Sequence, residues 1–339
     1  MADLVVVDFR NLCKICSFSM LSGQIACQYA TEPDEIAHRL AKRLFCIRAE
    51  HPDASIVFAL DTPPYWRHSY IVNWYNVRGI EPVGYKANRA DQSWPFATDR
   101  ITMDTLYVAV RYKMATALEA LVIGDTGLEA DDIWGLTVTS TPKTVTIQGI
   151  STDSDWQQLC GGNVTVLNPV TNEIMTRKLD MRTKYIAGDR GDNIMGIPKR
   201  KANGDIGTKM WGKDGAAKLV ATHTPEELEV LFDRDKDVYK RNYALITLPC
   251  PSWDLAEASK ALEACVRAPI DGDAEAILNG YGITAPVRKL LLDKAERNAW
   301  ISKLRAHLQE QNRKPKAIVE DSQVNRDIDA DVDLAKAFP

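Results

Sequence analysis

The sequence predicts an α/β fold built on a parallel sheet, and three observations lead there. LVVVD (4–8), SIVFALD (55–61) and KTVTIQGISTD (143–153) are short runs rich in β-branched and other apolar residues. Their apolar character is continuous, as in strands covered on both faces. Amphipathic stretches of helical length lie between them: EIAHRLAKRLFCIRAEH (35–51) and MDTLYVAVRYKMATALEALVI (103–123). Each strand run also delivers an acid where it ends, Asp8, Asp61 and Asp153. Open α/β sheets bind ligands outside the carboxyl ends of their strands, so these acids are expected to meet in one crevice. Taken singly, each could be an ordinary turn former.

Beyond residue 180 the strand signal fades. MRTKYIAGDRGDNIMGIPKRKANGDIGTKMWGKDGAAKLV (181–220) is turn-dense and basic, and 225–248 and 287–311 read as helices. A boundary is placed near 180. The last 21 residues carry six acids against Arg326 and Lys336, and their lack of periodic apolar residues predicts a disordered tail. Without that tail the formal charge of −4 disappears, leaving 40 acids and 40 bases in the body.

At 339 residues, with 45% apolar and 26% charged side chains, the chain is expected to bury a substantial core in two globular units. Its first ten residues show neither a basic lead nor a membrane-spanning run, and a cytoplasmic location is expected. Seven cysteines, an odd number, fit reduced thiols. Cys13 and Cys16 form half of a zinc motif, but no second half exists, so core packing is expected.

GLEADD (127–132) places Glu129, Asp131 and Asp132 within four positions. Thr126 and Glu129 have capping-box spacing, which leaves the two aspartates weakly explained beyond the first turn. Like charges that close require a cation between them if they are buried. STDSDWQQL adds Asp155 to Asp153, and AGDRGDNIMG adds Asp189 and Asp192. Acids in such number, with almost no histidine nearby, suit Mg²⁺, with Mn²⁺ able to substitute, rather than zinc. Two such ions roughly 4 Å apart serve phosphodiester chemistry.

The ordered set LVVVDFRN, FALD, YKANR, GLEADD, STDSDWQQL and GDRGDNIMGIP, from Leu4 to Leu248, resembles the 5′-nuclease superfamily: flap endonucleases, the 5′-nuclease domains of bacterial DNA polymerases and especially bacteriophage 5′→3′ exonucleases. The resemblance implies a PIN-like catalytic domain with a helical arch (1–180), then a mainly helical duplex-binding domain with a helix-turn-helix element (181–311) and the acidic tail (312–339). It implies a divalent-metal-dependent 5′→3′ exonuclease and flap endonuclease acting on DNA, or on RNA primers paired to DNA, in replication. Asp8, Asp61, Glu129 and Asp131 would serve a first metal and Asp153, Asp155, Asp189 and Asp192 a second, with Asp132 beside them or acting through water.

From YKANR, Lys86 and Arg89 would stand near the scissile phosphate, and Tyr85 would stack on a displaced base. Arg67 is a possible phosphate contact, and His68 is expected to be structural. The family's helix-turn-helix holds duplex phosphates through glycine amides and a K⁺ ion. Here Gly212, Gly215, Ala216 and Ala217 resemble its second half, while Asp214 stands where a lysine is expected, with Lys213 beside it as a DNA contact, which puts the K⁺ site in question. An apparent insertion supplies Lys199, Arg200, Lys201 and Lys209 as replacement phosphate contacts. The arch stretch 90–102 has Trp94 and Phe96 where a basic passage would be expected, implying more stacking there.

The expected partners are DNA with free 5′ ends or flaps, an RNA–DNA hybrid, and a replication protein bound by the tail; no membrane partner is expected, and the protein is expected to be a monomer. The alternative is a junction-binding protein of the same fold without chemistry. An aspartyl phosphatase is excluded because Arg10 occupies the position its second acid needs, and a nucleotide motor because no GxxxxGK[ST] loop occurs.

Overall fold

The run LVVVD forms strand β1 (Leu4–Asp8), and its alternating residues divide between two cores as the pleat requires. Val5 and Val7 enter one hydrophobic cluster and Val6 the other. The chain was described from a computed structural model covering residues 2–20, 27–29, 33–82, 84–87, 100–124, 127–201, 203–264 and 266–267, with isolated positions between 295 and 302.

After β1 come helix α1 (Phe9–Ser17), the small hairpin β2 (Phe18–Met20) and β3 (Cys27–Tyr29), and helix α2 (Pro33–Glu50). Ile36, Leu40 and Leu44 recur at helical spacing along α2 and are all buried. Strand β4 (Ser55–Ala59) precedes helix α3 (Trp66–Asn76), and helix α4 (Arg100–Leu118) leads into strand β5 (Leu121–Ile123). The stretch read as one helix over 103–123 therefore ends in a strand, since apolar Leu-Val-Ile satisfies either pattern.

Helix α5 (Ala130–Ser140) is followed by β6 (Ile147–Ile150), a 3₁₀ turn (Ser154–Leu159), β7 (Val164–Leu167) and β8 (Ile174–Met175). Next come α6 (Arg182–Ala187), the hairpin β9 (Gly188–Asp189) and β10 (Ile194–Met195), and a second hairpin, β11 (Pro198–Arg200) and β12 (Ile206–Met210). Helices α7 (Lys213–Thr222), α8 (Pro225–Leu231), α9 (Lys236–Ile246) and α10 (Leu255–Ala264) lead to β13 (Val266–Arg267).

The main sheet runs β13-β5-β4-β1-β6-β7-β8. Its five inner strands are parallel, and the two outer strands pair antiparallel. Residues of α1, α2 and α4 cover one face and those of α5 and α10 the other, giving the doubly covered α/β architecture expected. On the second face Trp134 stacks on Trp156 at 4.9 Å and 11°. Gly149 of β6 makes room for that stack, because a Cβ there would lie 2.7 Å from the Trp156 ring. Cys13 and Cys16 are buried in the first core, and burial pushes the Cys16 thiol up to about 12.

The chain does not part cleanly at residue 180. Helix α3 packs its Ile71 and Tyr75 with Tyr185, Leu245 and Ile246 from the later half, while Leu262 of α10 enters the core around Trp134 and β13 joins the edge of β5. Helices α6 and α7 share a small core of Ile186, Ile197 and Ala216 with Leu228 and Phe232. They are joined by two hairpins rather than by a short turn, so a simple helix-turn-helix is not what connects them. Most of the expected arch (90–102), most of the helix over 287–311 and the whole acidic tail lie outside the described residues. Among the described residues, no helix is long and apolar enough to cross a membrane.

Candidate active site

Because β1, β4 and β6 are parallel neighbours, Asp8, Asp61 and Asp153 leave the same edge of the sheet and line one open cavity of about 160 Å³. Glu129 and Asp131 at the start of α5, Asp155 in the 3₁₀ turn and Asp192 beyond β9 join them. Arg10, Asn11, Lys14 and Lys86 complete much of its polar wall. Seven of the nine acids expected at a metal site thus line one cavity, from segments far apart in sequence. Asp132 and Asp189 do not line it.

Local hydrogen bonds aim these carboxylates. Asp8 accepts from the Asn11 amide at 3.0 Å and from Ser151 Oγ at 2.9 Å. Asp61 accepts from the Ala130 amide at 2.8 Å, and Asp153 from the Asp155 amide at 2.9 Å. Burial, then the neighbouring charge of Asp61, pushes Asp8 up to about 7. Burial likewise pushes Asp155 up to about 6, against the pull of Lys184. An anionic form this costly marks a place for added positive charge, and the donors are oxygens, which suit a hard divalent ion.

The GLEADD acids are organised differently. Ligand atoms of Glu129, Asp131 and Asp132 lie within 4.8 Å of one another, and the cation among them is Arg67. Its Nη1 donates to Glu129 at 2.8 Å, Asp132 at 2.7 Å and Asp131 at 3.4 Å, while Nε donates to the Leu245 carbonyl at 2.8 Å. Arg67 is 2% exposed. The expectation that it reaches DNA phosphates is corrected: buried carboxylates retain it.

Asp132 stands beside the cavity acids, as expected of it. Its Oδ2 accepts from Arg67, from Trp66 Nε1 at 2.9 Å and from the Glu129 amide at 3.1 Å. Completely buried, it braces the helix start rather than facing the cavity. Helix α5 begins at Ala130 with Glu129 as N-cap, so Asp131 and Asp132 belong to the first turn and favour the macrodipole there. Thr126, expected as the cap, lies outside the described residues.

Tyr85 is buried, and its hydroxyl donates to Glu129 at 2.6 Å and contacts Asp192 at 2.9 Å. This position corrects the expected stacking on a base, because the ring has no free face to offer. Lys86 does line the cavity. Its ammonium pairs with Glu129 and lies 3.8 Å from Asp192, its amide donates to the Asp192 carbonyl at 2.9 Å, and its φ of 55° is unusual for a side-chain-bearing residue. Despite burial, Arg67 and Lys86 hold the Glu129 carboxyl below its ordinary value. Arg89 lies outside the described residues, and His68 is exposed on α3.

Sequence reasoning missed Lys184. From α6 it bridges Asp155 at 2.5 Å and Asp189 at 2.8 Å, tying a cavity acid to one outside it. Its position five residues before Asp189 carried no recognisable spacing, because α6 ends between them at Gly188. In the basic stretch, Lys199, Lys201, Lys209 and Lys213 are exposed, with Gly212 capping α7 and Gly215 in its first turn. Arg200 departs from them: its guanidinium pairs with both oxygens of Asp235 at 2.8 Å. It is corrected from a phosphate contact to an internal tie.

No protein-family model and no curated protein matches the chain. Its path is similar to a T5 D15 protein co-crystallized with metal ions (16% identity, TM-score 0.48) and to a T5 5′-exonuclease with bound zinc ions (17%, 0.47). It is also similar to a bacteriophage T5 D15 flap endonuclease in a pseudo-enzyme–product complex with DNA and metal ions (18%, 0.48). In all three, 82% of this chain aligns with 99% of the other.

Proposed function

We propose that the chain is a divalent-metal-dependent 5′→3′ exonuclease and structure-specific flap endonuclease of DNA, with RNA primers on DNA as a further substrate and replication as its setting. The observation that supports this best is the seven-carboxylate cavity at the carboxyl edge of a parallel sheet, with lysine and arginine on its wall. Asp8, Asp61, Glu129 and Asp131 would hold one Mg²⁺ or Mn²⁺ ion, and Asp153, Asp155 and Asp192 a second. Asp155 and Asp189 share Lys184, and Asp189 would join the second ion from there. Such ions supply Lewis-acid stabilisation of phosphate charge and acidify an attacking water.

The chain's own residues would do the rest. Ser151 and the Asn11 amide orient Asp8, and Arg67 holds Glu129 from behind. Lys86 would offer its ammonium to the phosphate oxygens as negative charge grows. Arg10 and Lys14 would receive flanking phosphates. Gly212, Lys213 and Gly215 would meet duplex phosphate at the start of α7, where K⁺ belongs to the same proposal.

Replacing Asp153 by Ala and following a 5′-labelled flap in Mg²⁺ is expected to lower cleavage by about 100-fold or more while flap binding in EDTA persists. Undiminished cleavage overturns the assignment, and wild-type binding without product at any Mg²⁺ or Mn²⁺ concentration favours a junction-binding protein.

A further inference from the structure

We infer that the hairpin β11–β12 is a duplex-phosphate platform whose working face is Lys199, Lys201 and Lys209, with Arg200 as its anchor. The inference rests on the DNA-cleaving reading above and assigns part of the duplex grip to one element.

Pro198 pairs with Met210 and Arg200 with Ile206, and the register shifts between the two pairs, so that β12 bulges against β11. Lys199, Lys201 and Lys209 are all exposed, whereas Arg200, between the first two, is turned inward. The contacts agree with this division. Lys199 Nζ sits 4.7 Å from the Trp211 ring centroid. Arg200 points the other way, to Asp235, the Gly204 carbonyl at 2.9 Å and the Arg234 carbonyl. Four cations close in sequence therefore have two tasks.

Gly207 lets β12 come close to β11 at the register shift, since a Cβ there would lie 2.4 Å from the Lys199 carbonyl oxygen. The nearby acids are Asp205, which accepts from Asn203 Nδ2 at 2.7 Å, and Asp214 in the first turn of α7. Three exposed lysines on a short, anchored element are matched by a phosphate backbone, which neutralises them without requiring any base sequence.

The platform is also joined to the cleavage site. Ile197 donates to the Ile186 carbonyl at 2.8 Å, and Trp211 donates to the Ile197 carbonyl at 2.9 Å. These bonds fix the base of the hairpin to α6, next to the turn that carries Asp189 and Asp192. Lys199 is seven positions beyond Asp192, a span of at most about 25 Å even when fully extended. One duplex turn is about 34 Å. Lys199 therefore lies within one helical turn's length of Asp192 on the cavity wall.

The test compares the wild-type chain with the triple variant K199Q/K201Q/K209Q, binding a labelled blunt duplex in EDTA over a series of KCl concentrations. The slope of log affinity against log salt is expected to become shallower by about 0.9 for each lysine that meets a phosphate, about 2.7 for all three. Cleavage in Mg²⁺ at saturating protein should persist, with the protein concentration for half-maximal rate raised. A wild type that binds and cuts while the variant keeps the same slope overturns the platform alone. A wild type that neither binds nor cuts DNA removes the nuclease reading and the platform together.

Discussion

Arg67 shows how much positive charge the start of α5 already contains. One guanidinium, 2% exposed, serves three carboxylates and a main-chain carbonyl. The acids facing the cavity on the β1–β4–β6 side are arranged otherwise, and Asp8 shows the cost. Its carboxyl is raised from 3.8 to about 7 by burial and then by Asp61. The folded protein therefore binds a proton there that the unfolded chain has released, and stability falls as pH climbs from about 4 to 7. In EDTA, Asp8→Asn should equal the wild type near pH 4 and exceed it by up to about 4 kcal/mol at pH 8. Urea unfolding at the two pH values checks this; a constant difference between them would contradict it. Asp8, Asp61 and Asp153 were legible because their place depends only on where a strand stops. Arg67 and Lys184 were not, since their partners come from other segments brought close by folding.

At the level of elements, the β9–β10 turn sets the geometry of the Asp189–Asp192 segment. Gly188 has a φ of +73°, and a Cβ on it would meet the Ile194 carbonyl oxygen and lie 2.5 Å from the Gly196 nitrogen. Gly188→Ala should cost at least about 2 kcal/mol, because strain and a backbone clash act together. It should also weaken divalent-ion binding measured by calorimetry, through displacement of Asp192; normal stability and affinity would show that the turn can relax. Helix α2 was legible from its apolar spacing. The strand at 121–123 was hidden because three apolar residues after a helix fit either structure. The basic stretch was legible as charge, but its division by a hairpin into lysine face and arginine anchor depends on pairing that composition does not reveal.

Over the whole molecule, the sheet collects the acids and their repulsion opposes folding, so a bound cation should stabilise the native state. At Mg²⁺ one hundred times its dissociation constant, linkage contributes about 2.7 kcal/mol. Thermal unfolding should move upward on adding Mg²⁺ to the wild type and much less for Asp153→Asn; equal shifts would mean that the ion binds elsewhere. The α/β class was legible at this scale from buried strand runs alternating with helices. The return of the chain after residue 250 was not, because β13 has only two residues and its pairing is with a distant strand.

That return also bears on solubility. Among the described residues, the main sheet ends at each margin in a two-residue antiparallel strand, β13 beside β5 and β8 beside β7. Short margins offer few unpaired amides and carbonyls for a neighbouring chain to add to. A protein cut before Val266 would lay bare the outer rim of β5, inviting strand exchange between molecules and fibrous clumping during expression.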